Sequence, residues 1–264
     1  MRRRLAILAL SFGLLPALAL AALSGREIMA KNEELLKLDD VTARATLTTQ
    51  KAGQAAKSKV FTMWRKVKAD NVHYHTLTQF HEPAEVKNEA ILFAENDRGE
   101  NDIFLYLPAY KKVRRVERSQ QSGSFMGSEF SYSDITTPHA ADYTQKLLRE
   151  EACAGGGTCY VIEAVPVNDS IRERTGYSQV TSWVRKDNFM NVRNDYLDLA
   201  GKPVKKITLS GAKVVSKKGK WMSHKIEVQS LKDGGKTSLS FENVKADRGI
   251  DDAKFTQQNL LKMK

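Results

Sequence analysis

The sequence predicts a mainly β fold: one large antiparallel sheet, strongly curved, with helices and an irregular segment on its concave side. Three observations carry this reading. Stretches with period-two alternation or strong strand preference recur from Thr42 onward. Glycine-, lysine- and aspartate-rich turn signals separate them at regular spacing, as at residues 198–203, 217–219 and 232–235. Helical periodicity is confined to short stretches. A sheet of about ten strands curls, splits or closes rather than staying flat, and the lack of an internal repeat argues against a propeller.

The N-terminus sets the compartment. Arg2, Arg3 and Arg4 precede an uncharged apolar run that Pro16 breaks, and Ala19-Leu20-Ala21 has the small-x-small pattern cut by signal peptidase. Residues 1–21 are therefore expected to be a cleaved signal peptide and residues 22–264 one exported, soluble domain. A retained anchor is the competing reading, because residues 5–25 are uncharged and long enough for a bilayer core of ~30 Å. Pro16 and the alanines at 17, 19, 21 and 22 favour cleavage.

Losing three arginines lowers the net charge from +11 to +8. Basic clusters at Lys111, Lys112, Arg114, Arg115 and Arg118, and again along residues 202–220, fit contact with an anionic membrane surface or plain solvated strand faces. Export argues against nucleic acid as a partner. Cys153 and Cys159 flank Ala-Gly-Gly-Gly-Thr, and in an oxidising compartment such a pair forms a disulfide. So small a ring contributes only ~2 kcal/mol, which makes it a staple for a turn.

Along the chain, residues 25–40 read as a short amphipathic helix, with Ile28, Leu35 and Leu38 on one face. Strands follow at 60–67, 72–80, 90–93, 103–107 and 113–116, with a turn at 96–100. In residues 72–80, Val72, Tyr74, Thr76, Thr78 and Phe80 share one side and His73, His75, Leu77 and Gln79 the other. Residues 119–135 mix small polar residues with large apolar ones and have no period, as expected of a loop that packs on something. Residues 138–150 read as a helix starting near Pro138. Strands resume at 160–165, 177–186, 189–197, 205–215, 221–231 and 236–244, and a last short element lies within 251–263.

Signs of catalysis are lacking. His73 and His75 could face one way from a strand, but two imidazoles do not make a metal site. Gly155-Gly156-Gly157 lacks the Lys-Ser/Thr of a phosphate loop, and neither a nucleophile elbow nor a zincin motif is found. No enzyme activity, cofactor or metal is expected.

Specific stretches carry a family resemblance. They are Phe80-His81-Glu82-Pro83-Ala84-Glu85-Val86, residues 103–116, Ser124 to Asp134 with its Ser124-Phe125-Met126-Gly127-Ser128 core, Trp183 to Phe189, and Tyr196 to Lys202. Residues 25–262 resemble the LolA-like outer-membrane lipoprotein-sorting proteins, in particular the branch found alongside RND-type exporters. Glu129 stands where many relatives carry Asp. The resemblance implies an incomplete, LolA/LolB-like antiparallel β-barrel with a helical lid around a hydrophobic cavity. It also implies a periplasmic carrier of acyl chains, with a lipidated protein or lipid as cargo. An RND-type inner-membrane exporter or an outer-membrane acceptor would be its partner. An envelope sensor or adaptor, or a structural partner of the exporter, is the alternative.

An acyl chain costs ~0.8 kcal/mol per CH₂ exposed to water, so a carrier needs a dry cavity. Trp64, Tyr74, Phe80, Phe104, Tyr106, Trp183 and Trp221 are the expected lining, against the plainer alternative of ordinary core packing. Gly123, Phe125, Met126, Gly127, Phe130 and Tyr132 are the expected lid: the glycines allow movement, and the apolar side chains fill the cavity or yield it to a guest.

Overall fold

The computed structural model describes residues 22–96 and 101–263. The expected signal peptide, residues 1–21, and most of the expected 96–100 turn lie outside the described residues. Among the described residues, thirteen strands form one antiparallel sheet that does not close. The first half holds β1 (Asp40–Gln50), β2 (Lys57–Val67), β3 (Tyr74–Glu82), β4 (Ala90–Ala94), β5 (Asp102–Leu107) and β6 (Lys112–Arg115). The second holds β7 (Tyr143–Ala152), β8 (Thr158–Pro166), β9 (Tyr177–Arg185), β10 (Asn191–Asp198), β11 (Pro203–Val214), β12 (Trp221–Ser230) and β13 (Lys236–Ala246). Helices are short: α1 (Gly25–Leu36), α2 (Tyr132–Ile135), α3 (Asp169–Thr175) and α4 (Gln257–Leu260).

The strand order runs from β6 through β1, then β13, to β7. Each half is a meander, the halves meet at the β1–β13 pair, and β6 and β7 are the two edges. Laid flat at ~4.8 Å per strand, those edges would stand ~58 Å apart. The chain between them, residues 116–142, must cross the sheet, and it does so over the inner face. Register defines that face. Ala45 pairs with Phe61, Phe61 with Phe80, and Thr78 with Ile91. In the other direction Leu47 pairs with Leu239, Leu239 with Ile226, and Ile226 with Leu209. Because side chains alternate with period two, these residues share one side and form the main core.

The opposite face has its own ladder. Trp64 pairs with Leu77, Leu77 with Leu92, and Leu92 with Phe104. The C-terminal segment covers it through Phe255 and Leu260, both buried. The carboxylate of Asp40 fixes the turn into that segment by accepting from the backbone N–H groups of Arg248 and Gly249 at 2.9 and 2.7 Å.

α1 starts with a capping box between Ser24 and Glu27 and buries Gly25, Ile28 and Asn32 against β7 and β9. Its packing face therefore includes Ile28 but not Leu35, and Leu38 is buried beyond the helix end.

The expected helix over 138–150 is not formed. A single 3₁₀ turn spans Ala140–Asp142, and Tyr143 begins β7, which pairs with β8 across the disulfide turn. The adjacent Leu147 and Leu148 suit either period, and the strand won because β8 offers a partner along its whole length. Cys153 and Cys159 are bonded, and Gly155, Gly156 and Gly157 all have positive φ, which glycine alone adopts freely.

Candidate functional site

Residues 119–135 lie on the inner face as a plug. Phe125 is fully buried, with ring centroids 6.4 Å from Phe80, 6.1 Å from Phe93 and 5.7 Å from Tyr132. Phe130 is buried beside it, and Met126 packs partly exposed on the same cluster. The segment closes on itself first. The Phe125 N–H donates to Phe130 O at 2.7 Å and the Tyr132 N–H to Gly123 O at 3.1 Å. The Ser128 hydroxyl donates to Phe125 O at 2.6 Å. Met126 and Gly127 take positive φ of 53° and 76°, making the tight reversal that aims Phe125 inward.

Apart from one isolated bridge between Ser124 and Ser131, the segment joins no strand ladder. Side chains hold it to the wall. Lys59 donates to Met126 O at 3.0 Å, and Thr237 Oγ1 accepts from the Glu129 N–H at 3.0 Å. Lys205 of β11 is 6 % exposed and reaches Asp134 Oδ2 at 2.5 Å and Glu129 O at 3.2 Å. The Tyr177 hydroxyl donates to the other oxygen of Asp134 at 3.0 Å. Burial raises the Tyr177 pKa far above its ordinary value, so it keeps the proton it donates. Lys205 sits in one of the basic clusters expected to be solvated; the Asp134 carboxylate and the rings of Tyr177 and Tyr196, 5.1 and 5.8 Å away, are why it is buried instead.

A second polar group lies just beyond the plug, at His139. His139 Nδ1 lies 2.9 Å from Glu33 Oε1, and its Nε2 lies 3.3 Å from Glu95 Oε2. Burial pulls the imidazole pKa down, but bonding to the two carboxylates and their charges outweigh it, raising it to about 9. Glu33 belongs to α1, which packs on β7, and Glu95 follows β4, so one protonated side chain ties elements near opposite edges of the sheet. A cavity of about 60 Å³ lies beside the Asp134–Tyr177 contact, lined in part by Asp134, Thr137, Arg174, Tyr177 and Tyr196. Arg174, from α3, is 4 % exposed and pairs with Asp142 at 3.3 Å, while its Nε has no partner.

The residues expected to line a cavity divide between the two faces. Tyr74 and Phe80 point inward: Arg65 covers the Tyr74 ring at 3.9 Å, and Phe80 meets Phe61 and Phe125. Trp64, Phe104 and Tyr106 lie on the outer face under the C-terminal segment. Trp183 lies on that face as well, packed on the disulfide and donating to Glu151 at 2.5 Å. Trp221 pairs with the exposed Val214 and is only half-buried. The expected lid residues Phe125, Met126, Phe130 and Tyr132 all gather in or against the inner core. His139 and Arg174 had no signal in the sequence, and nothing in it pointed Lys205, one of a basic cluster, towards Asp134, the end of a family-like stretch. Their spacing is non-local, and α3 falls in a stretch without clear periodicity.

This architecture is the LolA-like fold: an incomplete β-barrel with short helices and a crossing segment on its inner side. A family model described as "Uncharacterized protein" matches residues 73–262, and the chain belongs to that family. A domain described as an outer membrane lipoprotein-sorting protein from Vibrio parahaemolyticus superposes with a TM-score of 0.83 at 24% identity, covering 90% of this chain and 98% of its own. A DUF1329 family protein from Desulfovibrio piger gives 0.83 at 28% identity, with 89% and 97% covered. A LolA superfamily protein from Nitrosomonas europaea gives 0.71 at 22% identity, with 90% and 100% covered. No curated protein sequence matches this chain.

Proposed function

We propose that the protein is a periplasmic carrier that shelters the acyl chains of a lipoprotein or other lipid against the inner face of its sheet. It works without catalysis or cofactor and passes its cargo between envelope membranes, or between an RND-type exporter and an acceptor. The observation that carries this reading is the plug. Phe125 and Phe130 fill the interior from a segment held by side-chain contacts and not by a strand ladder. Such a filling can be exchanged for alkyl chains at little net cost in apolar burial. The Cys153–Cys159 disulfide supports an oxidising compartment. Among the described residues no helix is long and apolar enough to cross a membrane. The lipoprotein-sorting description of the Vibrio domain supports lipid as the cargo class.

The test is to purify the protein from its native periplasm, extract it and identify bound lipid by mass spectrometry. Stoichiometric lipid that moves to acceptor vesicles is expected. Protein that carries none and takes none up sinks the proposal. It would favour the second reading, a structural partner of an exporter whose interior is permanently filled by its own side chains.

A further inference from the structure

The plug is fastened by a charge, and that charge says something about the guest. Lys205 Nζ and the Tyr177 hydroxyl each donate to one oxygen of the Asp134 carboxylate, at 2.5 and 3.0 Å. Both donors belong to the sheet wall, on β11 and at the start of β9, whereas Asp134 belongs to the plug. The Asp134 and Lys205 side chains are only 4 % and 8 % exposed. If the plug withdraws, its carboxylate leaves and the wall keeps a desolvated ammonium facing aromatic rings. A buried cation without its partner is strongly unfavourable. An uncharged guest would leave that cation uncompensated; a guest bearing its own anion would not. A cavity of about 60 Å³ is lined by Tyr177 and Asp134, and by the buried Arg174, which pairs with Asp142 and whose Nε is unbonded.

We infer that the cargo is an anionic amphiphile, whose phosphate or carboxylate group takes the place of Asp134 on Lys205 and Tyr177 while its alkyl chain takes the place of Phe125. This rests on the carrier reading and narrows its substrate class.

Calorimetric titration with C12 probes below their micellar concentrations tests it: dodecanoate, dodecyl phosphate, uncharged dodecyl maltoside and dodecyltrimethylammonium. Wild-type protein should bind at least one anionic probe about tenfold more tightly than the uncharged one, the worth of one charge-assisted contact. The dodecanoate and dodecyl phosphate arms separate a carboxylate cargo from a phosphate one. Asp134→Asn, which removes the competing carboxylate, should widen that preference. The double variant Asp134→Asn with Lys205→Gln leaves no lone buried charge and so should fold; it should bind all the probes alike. Equal affinities in wild type, a preference for the cationic probe, or an anion preference that survives in the double variant overturns the inference and leaves the carrier reading standing. Failure of every probe to bind overturns the carrier reading itself.

Discussion

His139 is the residue on which pH should act. Its pKa in the folded protein lies at about 9, above the ordinary 6.5, because Glu33 and Glu95 bond it from two sides. A raised pKa means that folding favours the protonated form. Its stabilisation is therefore complete below pH 6.5 and is lost as pH rises through about 9. His139→Gln keeps a hydrogen-bonding side chain but cannot carry the charge. In urea denaturation the wild type should exceed this variant in stability at pH 6, and the gap should narrow steadily towards pH 9.5. A gap constant across that range would show that charge has no part in tying α1 to the end of β4.

At the scale of elements, the plug and α1 make separate predictions. Removing most of a fully buried aromatic ring costs about 3–5 kcal/mol in a rigid core. Phe125→Ala should lower the melting temperature by that route, and a C12 alkyl probe should then raise it more in the variant than in the wild type, because the ligand fills the space directly. An equal shift in both would mean that the probe binds elsewhere. α1 lies so close to β7 that a Cβ on Gly25 would come within 2.8 Å of the Leu147 backbone nitrogen. Backbone cannot step aside, so Gly25→Val should cost roughly 1–3 kcal/mol, as overpacking does, and should speed amide exchange at Ile28 without altering it at Phe61.

The elements also show what could be read from residues alone. Alternation in 72–80 correctly grouped Tyr74, Thr76, Thr78 and Phe80, because a half-buried strand imposes a period of two. Which side of that strand is concave depends on how distant strands bend. Trp64 and Phe104 therefore looked like cavity residues although they lie under the C-terminal segment. β7 was hidden because its adjacent leucines fit a helix and its partner strand lies beyond a disulfide turn. The aperiodic mixture in 119–135 did mark the plug. Lys205 and Asp134 lie far apart in sequence and meet only through the fold.

For the whole molecule, the strand order explains why the plug exists. Both ends of the sheeted chain meet at its centre, in β1 and β13, and the two halves run outward to β6 and β7. The connection from one edge to the other, residues 116–142, runs over the inner face and gathers apolar residues, Phe125 and Phe130 foremost, into the inner core. The central claim, that plug and guest compete for one space, is tested most directly by amide exchange across residues 123–132 with and without saturating acyl ligand. Exchange at Phe125 and Ser128, whose N–H groups bond Phe130 O and Phe125 O, should accelerate on binding, while β1, β2 and β13 stay protected. Unchanged or slower exchange in 123–132 with ligand bound would contradict it.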